Sequence, residues 1–170
     1  LSLTPMGRSG TPAILLSRLP EAQRAEAWPL FWAGTCRAPG CPEEARGHFE
    51  AAYSRFSDDD DPTGLATTWS ALIETYWYDW RDCRPLDGWL CELDRWAERH
   101  IHALDDERRA RLTQAAVTAY ALRQPAHPDR SRWESRLAHL LESGVLPLNR
   151  RLIAGARLFF YSMWFTGDWR

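Results

Sequence analysis

The sequence predicts an all-α fold of antiparallel helical hairpins stacked side by side, and three observations carry that prediction. Apolar residues recur at helical spacing in one stretch after another, and none keeps up the period-two alternation of a strand. Prolines and glycines fall between those stretches, where they start and stop helices. Ten tryptophans in 170 residues are more aromatic bulk than one small core needs, and nearly all of them lie on the helical stretches. A long, continuous seam between stacked helices uses them best.

Residues 1–11 are small, polar and aperiodic and read as a frayed lead-in, which leaves 12–170 as the helical domain. Pro12 can sit in the first turn of a short helix reaching Arg18, and Pro20 can open a second. Trp28-Pro29 breaks the pattern, because proline disfavours helix in the residue before it. Leu30 to Cys36 then reads as helix, stopped by Ala38-Pro39-Gly40. From Pro42 to Phe56 a single face carries Ala45, Phe49, Ala52 and Phe56. Asp61 is a good N-cap and Pro62 a good first residue for the next helix. Leu65, Trp69, Leu72, Tyr76 and Trp80 form its stripe, widened by Ile73 and Trp77. Pro85 opens a helix striped by Trp89, Leu93, Trp96 and His100. Asp105 to Leu122 carries Leu112, Ala115, Ala116, Ala119 and Tyr120. Pro128 opens a helix with Trp133, Leu137, Leu140 and Leu141, ended by Ser143-Gly144. Pro147 opens the last, with Leu148, Leu152, Ala156, Phe159 and Met163 in register. That makes about seven main helices, and their short connections favour antiparallel neighbours.

Charge and composition exclude several classes. A net charge of −2 gives no electrostatic footprint for nucleic acid or an anionic membrane. All 21 basic residues are arginine, which points to a GC-rich genome more than to a phosphate-binding surface. The longest apolar run, Leu158–Phe165, is far shorter than the roughly 20 residues of a membrane span. No signal peptide opens the chain, and Cys36, Cys41, Cys83 and Cys91 read as free, buried thiols of a reducing compartment. A start at Leu1 and an end just past the turn signal Gly167-Asp168 suggest a fragment of a longer protein.

No motif specifies catalysis. The run Asp58–Asp61 fails as an EF-hand loop, since its sixth position is Thr63 and its twelfth Trp69. An acidic loop capping a helix is the simpler reading. Cys36 and Cys41 with His48, or Cys83 with Cys91, lack the second close ligand pair of a structural zinc site. His100 and His102 stand at a helix end and point apart, and no serine or cysteine has a His and an acid at a recognisable spacing. The expectation is therefore no catalytic centre, no metal and no cofactor. The candidate binding residues are Tyr78, which lies off its helix's stripe, with Arg81 and Arg84 beside it. Aromatics and arginines are the commonest anchors of a binding groove.

Gly34 followed by Ala45, Phe49 and Ala52 resembles tetratricopeptide spacing, in which small residues let two helices cross closely. The interval from the glycine is one residue short, and the connection around Asp58–Asp61 is long for that repeat. A longer series is more specific. Leu30-Phe31-Trp32-Ala33-Gly34, Ala52-Tyr53 with Phe56, Gly64 before Trp69, and Trp77 with Trp80-Arg81-Asp82 are followed by Pro85-Leu86-Asp87 with Trp89. Arg123-Gln124-Pro125 with His127-Pro128 and Tyr161 with Trp164, Thr166, Gly167 and Asp168 complete it. This order is similar to the helical-repeat region of bacterial maltose-regulator-like signal-transduction ATPases. The resemblance spans roughly residues 20–169. It implies a tetratricopeptide-like right-handed superhelix acting as the non-catalytic sensor or interaction segment of a larger cytoplasmic, transcriptional or signal-transduction regulator. The implied partners are a nucleotide-binding switch and an output domain of the same chain, plus a protein or small-molecule effector. No GxxxxGK[ST] phosphate loop occurs in these residues. A plain protein–protein scaffold is the rival reading, and a small helical enzyme the more distant one. The last helix is apolar around most of its circumference (Phe159, Phe160, Met163, Trp164, Phe165), so self-association through it is also expected, as a homodimer.

Overall fold

The computed structural model describes residues 10–166, and every regular element among them is helical. Nine α-helices run in order: α1 Gly10–Ser17, α2 Glu21–Arg24, α3 Ala27–Arg37, α4 Pro42–Asp58, α5 Pro62–Tyr78, α6 Leu86–His100, α7 Asp106–Arg123, α8 Pro128–Glu142 and α9 Leu148–Tyr161. A 3₁₀ turn (Ile101–Ala103) prolongs α6, and a π turn (Ser162–Thr166) prolongs α9. No helix among the described residues is long and apolar enough to cross a membrane. Helix α1 begins at Gly10, inside the stretch read as lead-in, while residues 1–9 and the Gly167-Asp168 turn lie outside the described residues.

The helix starts follow their side chains. The Asp61 carboxylate accepts the Thr63 N–H at 2.9 Å, and Asp105 accepts that of Arg108 at 2.8 Å. Pro42, Pro62 and Pro128 stand in first turns, where the missing N–H costs nothing. The same physics corrects the break expected at Trp28-Pro29. Both residues belong to α3, because Pro29 falls in its first turn, where no N–H has an intrahelical acceptor. At the other end of a helix, Gly144 takes φ +72°, the left-handed conformation that closes α8.

Helix α3 packs most extensively on α4, α4 on α5, α5 on α7 and α7 on α8. The crossings at α4 are close. A Cβ on Gly34 would stand 2.7 Å from the Phe49 ring, and one on Gly64 would stand 2.1 Å from that of Phe56. Phe49 and Phe56 are buried with Ala45 and Ala52, as the one-sided pattern predicts. Helix α5 passes its contacts to α7 more than to α6, so sequential helices are not always the main neighbours. The segment 79–85 separates α5 from α6, and α6 reaches back through Trp89. The Trp89 carbonyl accepts the Trp69 indole N–H at 3.0 Å, and its ring stands edge-on to Tyr53.

Two stripes need correction. Helix α5 ends at Tyr78, so Trp80 leaves the stripe and stands 52% exposed on the connector. The cause is Asp79, whose extended backbone ends the helix and whose carboxylate is clamped by Arg46 and Arg81. In α9 the register Leu148, Leu152, Phe159 faces outward, each 64–68% exposed. Helix α9 carries two apolar faces, and polar partners choose between them. Tyr161 donates to the Thr118 hydroxyl at 2.8 Å, and Arg157 pairs with Glu74 at 2.6 Å, which turns Ala154 and Tyr161 into the body. Burial pushes the Tyr161 hydroxyl up to about 12, so it stays a donor. None of the four cysteines is fully buried, contrary to expectation: Cys36 and Cys83 are half-buried, and Cys41 and Cys91 exposed.

Candidate functional site

Helices α3, α5, α7 and α9, with Phe49 of α4 and the α3–α4 turn, line a groove that holds two adjoining cavities. The larger, about 620 Å³, lies between α3, α5 and the first turns of α7. The smaller, about 80 Å³, continues between α5, α7 and α9. Two residues line both: Glu74 from α5 and Arg111 from α7.

Sequence periodicity puts them there. On α7, Arg108, Arg111, Ala115 and Thr118 are spaced three and four apart and share one face. On α5, Thr67, Ala71, Glu74 and Tyr78 do the same. The larger cavity has aromatic walls, Phe31 and Trp32 from α3 and Tyr78 from α5. Its floor contains the Thr67 hydroxyl, shut from solvent with no hydrogen-bond partner among the described residues. A buried hydroxyl without a partner costs roughly 1–3 kcal/mol.

The charges along the groove are unequal in their pairing. Arg108 pairs with Asp105, Arg150 with Glu107 at 3.0 Å, and Arg157 with Glu74 at 2.6 Å. The Arg157 guanidinium also lies 5.2 Å from the centre of the Trp77 ring. Arg111 has no ion pair or hydrogen bond through its side chain among the described residues, although it is half-buried at the junction of the cavities. The groove thus presents one free guanidinium and aromatic walls.

Of the candidates named from sequence, Tyr78 lines the larger cavity and is 61% exposed. Arg81 and Arg84 are not among its lining residues. Arg81 forks onto Asp79 at 2.8 and 3.0 Å and reaches Glu43 at 3.3 Å. Arg84 forks onto Asp82 at 2.9 and 2.8 Å. These hydrogen bonds hold the Asp79 carboxyl well below its usual range and bring Asp82 down to about 2. Both arginines are thus committed to the connector after α5. Sequence reading missed Glu74 and Arg111. Glu74 had a signal, because it is the only charged residue in the 17 residues of α5. Arg111 had none, since α7 is rich in arginine.

The aspartate run closes one helix and opens the next: Asp58 ends α4, Asp60 takes φ 49°, and Asp61 caps α5. No group of three or more metal-ligating side chains occurs among the described residues. Comparison with protein-family models, curated proteins and solved structures returns no match.

Proposed function

We propose that this chain is a non-catalytic sensor or interaction segment of a larger cytoplasmic regulator. Its helices are read as a tetratricopeptide-like right-handed superhelix, with α3, α5, α7 and α9 lining the groove that receives the effector. The observation that carries the proposal is the free Arg111 guanidinium, half-buried where two cavities meet under aromatic walls. Sites for small ligands have this make-up, a mainly apolar recess with a few convergent polar groups. The regulator, its nucleotide-binding switch and its output domain come from the resemblance in residue order alone. Glu74 borders both cavities while holding Arg157 of α9, so a ligand there acts on the seat of α9. A ligand with unequal affinity for two seatings of α9 shifts their populations.

The test is a thermal-shift screen of sugars, nucleotides, amino acids and short peptides. A ligand specific for the folded state adds about 2.7 kcal/mol at a hundredfold excess over its Kd. The expected result is a saturable shift by an anionic compound that Arg111→Gln abolishes. A flat screen on folded protein, or the lack of any compound whose shift Arg111→Gln removes, overturns the reading.

A second reading, a plain protein–protein scaffold, is favoured by the outward apolar face of α9. Next to it Trp77, Trp80, Phe160 and Trp164 form a ring cluster with centroids 5.1–6.4 Å apart, and Trp80 and Trp164 are exposed. Such a patch marks an interaction surface. Concentration-dependent light scattering that Phe159→Glu abolishes is the expected sign of self-association through α9, and a monomer at high concentration removes it.

A further inference from the structure

The opposite face of α7 borders a second depression. Arg109 and Arg111 lie two residues apart, about 200° around the helix, so Arg109 points away from the groove. With Thr113 it forms one wall of a recess of about 600 Å³ between α7, α8 and the 3₁₀ turn. Arg132 and Arg136, one turn apart on α8, form the other wall, and His102 and His139 stand at its edge. The apolar surface comes from Ile101 and Leu140, both buried residues at the base. Three guanidiniums line this recess, and no carboxylate does.

The three arginines differ in how fully they are used. Arg136 is held: it forks onto Glu98 at 2.9 and 3.1 Å, and its guanidinium lies 4.8 Å from the centre of the Trp133 ring. Arg132 is left the outer edge of the same Glu98, 3.4 Å away, and Asp129 at 3.7 Å. Its side chain makes no hydrogen bond among the described residues. Arg109 donates to the Leu104 carbonyl at 2.8 Å and pairs with Asp106 at 3.2 Å, yet its Nε–H is shut from solvent with no acceptor. Two arginines with unused donor capacity therefore line the recess from two helices: Arg109 has a buried Nε–H without an acceptor, and Arg132 makes no side-chain hydrogen bond among the described residues.

We propose that this recess binds a small organic anion, with a phosphate or carboxylate head on Arg109 and Arg132 and an apolar body on Ile101 and Leu140. Guanidinium forks match both heads, and their charge-assisted bonds are the strong ones. The site is independent of the groove, because it uses other residues on the far side of α7.

The experiment titrates phenyl phosphate, benzoate and the neutral benzyl alcohol into the protein, followed by calorimetry and by the imidazole proton resonances of His102 and His139. Saturable binding of one or both anions that moves both imidazoles, with none by the alcohol, is the expected result, and the tighter anion identifies the head. Arg132→Gln should weaken that binding about tenfold or more, and Arg109→Lys should weaken it too. Arg55→Gln, on exposed α4 surface, should not. Circular dichroism and thermal unfolding establish that each variant is folded, since the Arg132 guanidinium also lies 6.0 Å from the centre of the Trp133 ring. No saturable binding of either anion, equal binding by the alcohol, or unchanged affinity in folded Arg132→Gln overturns the proposal.

Discussion

Two glycines set the distance between α4 and its neighbours, and a third does no such work. Gly64 lies under the Phe56 ring so closely that a methyl group there would stand 2.1 Å from it, and Phe56 is itself buried. Gly64→Ala must therefore push α4 and α5 apart or drive Phe56 off its rotamer, at a cost of about 1–3 kcal/mol. Gly88 sits in α6 with nothing within 4 Å of where its Cβ would be. Gly88→Ala should add about 0.5–1 kcal/mol by restricting the unfolded chain. Urea unfolding reads both as midpoint shifts of opposite sign at constant slope. Equal shifts would mean that the α4–α5 crossing yields easily. The glycines were visible in the sequence, but only Gly34 was read there as a close crossing of helices, while Gly64 entered only through the residue order of the resemblance.

At the scale of elements, α9 is seated by polar contacts that periodicity could not rank. The apolar pattern was legible, yet it offered Leu148, Leu152 and Phe159 as the inner face, and these face outward. What decides is a hydroxyl and an ion pair: Tyr161 on Thr118, and Arg157 on Glu74. Partner identities 43 and 83 residues apart leave no mark on local spacing. Arg81 and Arg84 are a different case: their acids lie two residues away, in plain view of the sequence, and claim them before any groove can. Helix starts were read better, because caps and prolines act locally, as Asp61-Pro62 and Asp105 illustrate. A double-mutant cycle measures the seat of α9. Glu74 and Arg157 side chains are 34% and 12% exposed, and their coupling should be about 1–3 kcal/mol. The more exposed pair of Glu107 and Arg150 should couple by less than about 0.5 kcal/mol. If the two couplings are equal, Glu74 does not hold α9 and the groove has no lever on it.

For the whole molecule, the all-α architecture followed from periodicity and punctuation, while the order of packing did not. That α5 leans on α7 depends on where segment 79–85 carries the chain, and that segment is organised around Asp79. Its carboxylate accepts from Arg81 and Arg46 and so ties the connector to α4. Asp79 belongs to a larger set held below the usual carboxylate range by arginines, a side-chain amide or backbone N–H groups: Asp82 by Arg84, Asp87 by Gln124 and Arg123, Glu98 by Arg136, and Asp105 by the Arg108 N–H. A carboxyl whose pKa is lower in the folded state stabilises the fold above its unfolded value, and that stability is lost as pH falls through the folded value. Unperturbed Asp and Glu titrate near 3.8 and 4.5. Thermal stability should therefore fall as pH drops below about 4.5, continuing to about 2, where Asp82 titrates. Asp94 works the other way, because burial raises its pKa and acid relieves its charging cost. One residue against five leaves the fall dominant. Asp79→Asn should unfold more easily than the parent at pH 6, and the gap should narrow steadily as pH falls below about 4, closing only in stronger acid than titrates Asp82, because Asp79 is held lower still. Salt should shrink the gap at pH 6, since the Arg81 arm of the pair is exposed. A gap that persists unchanged into acid would mean that Asp79 acts through shape at the end of α5 and not through its charge.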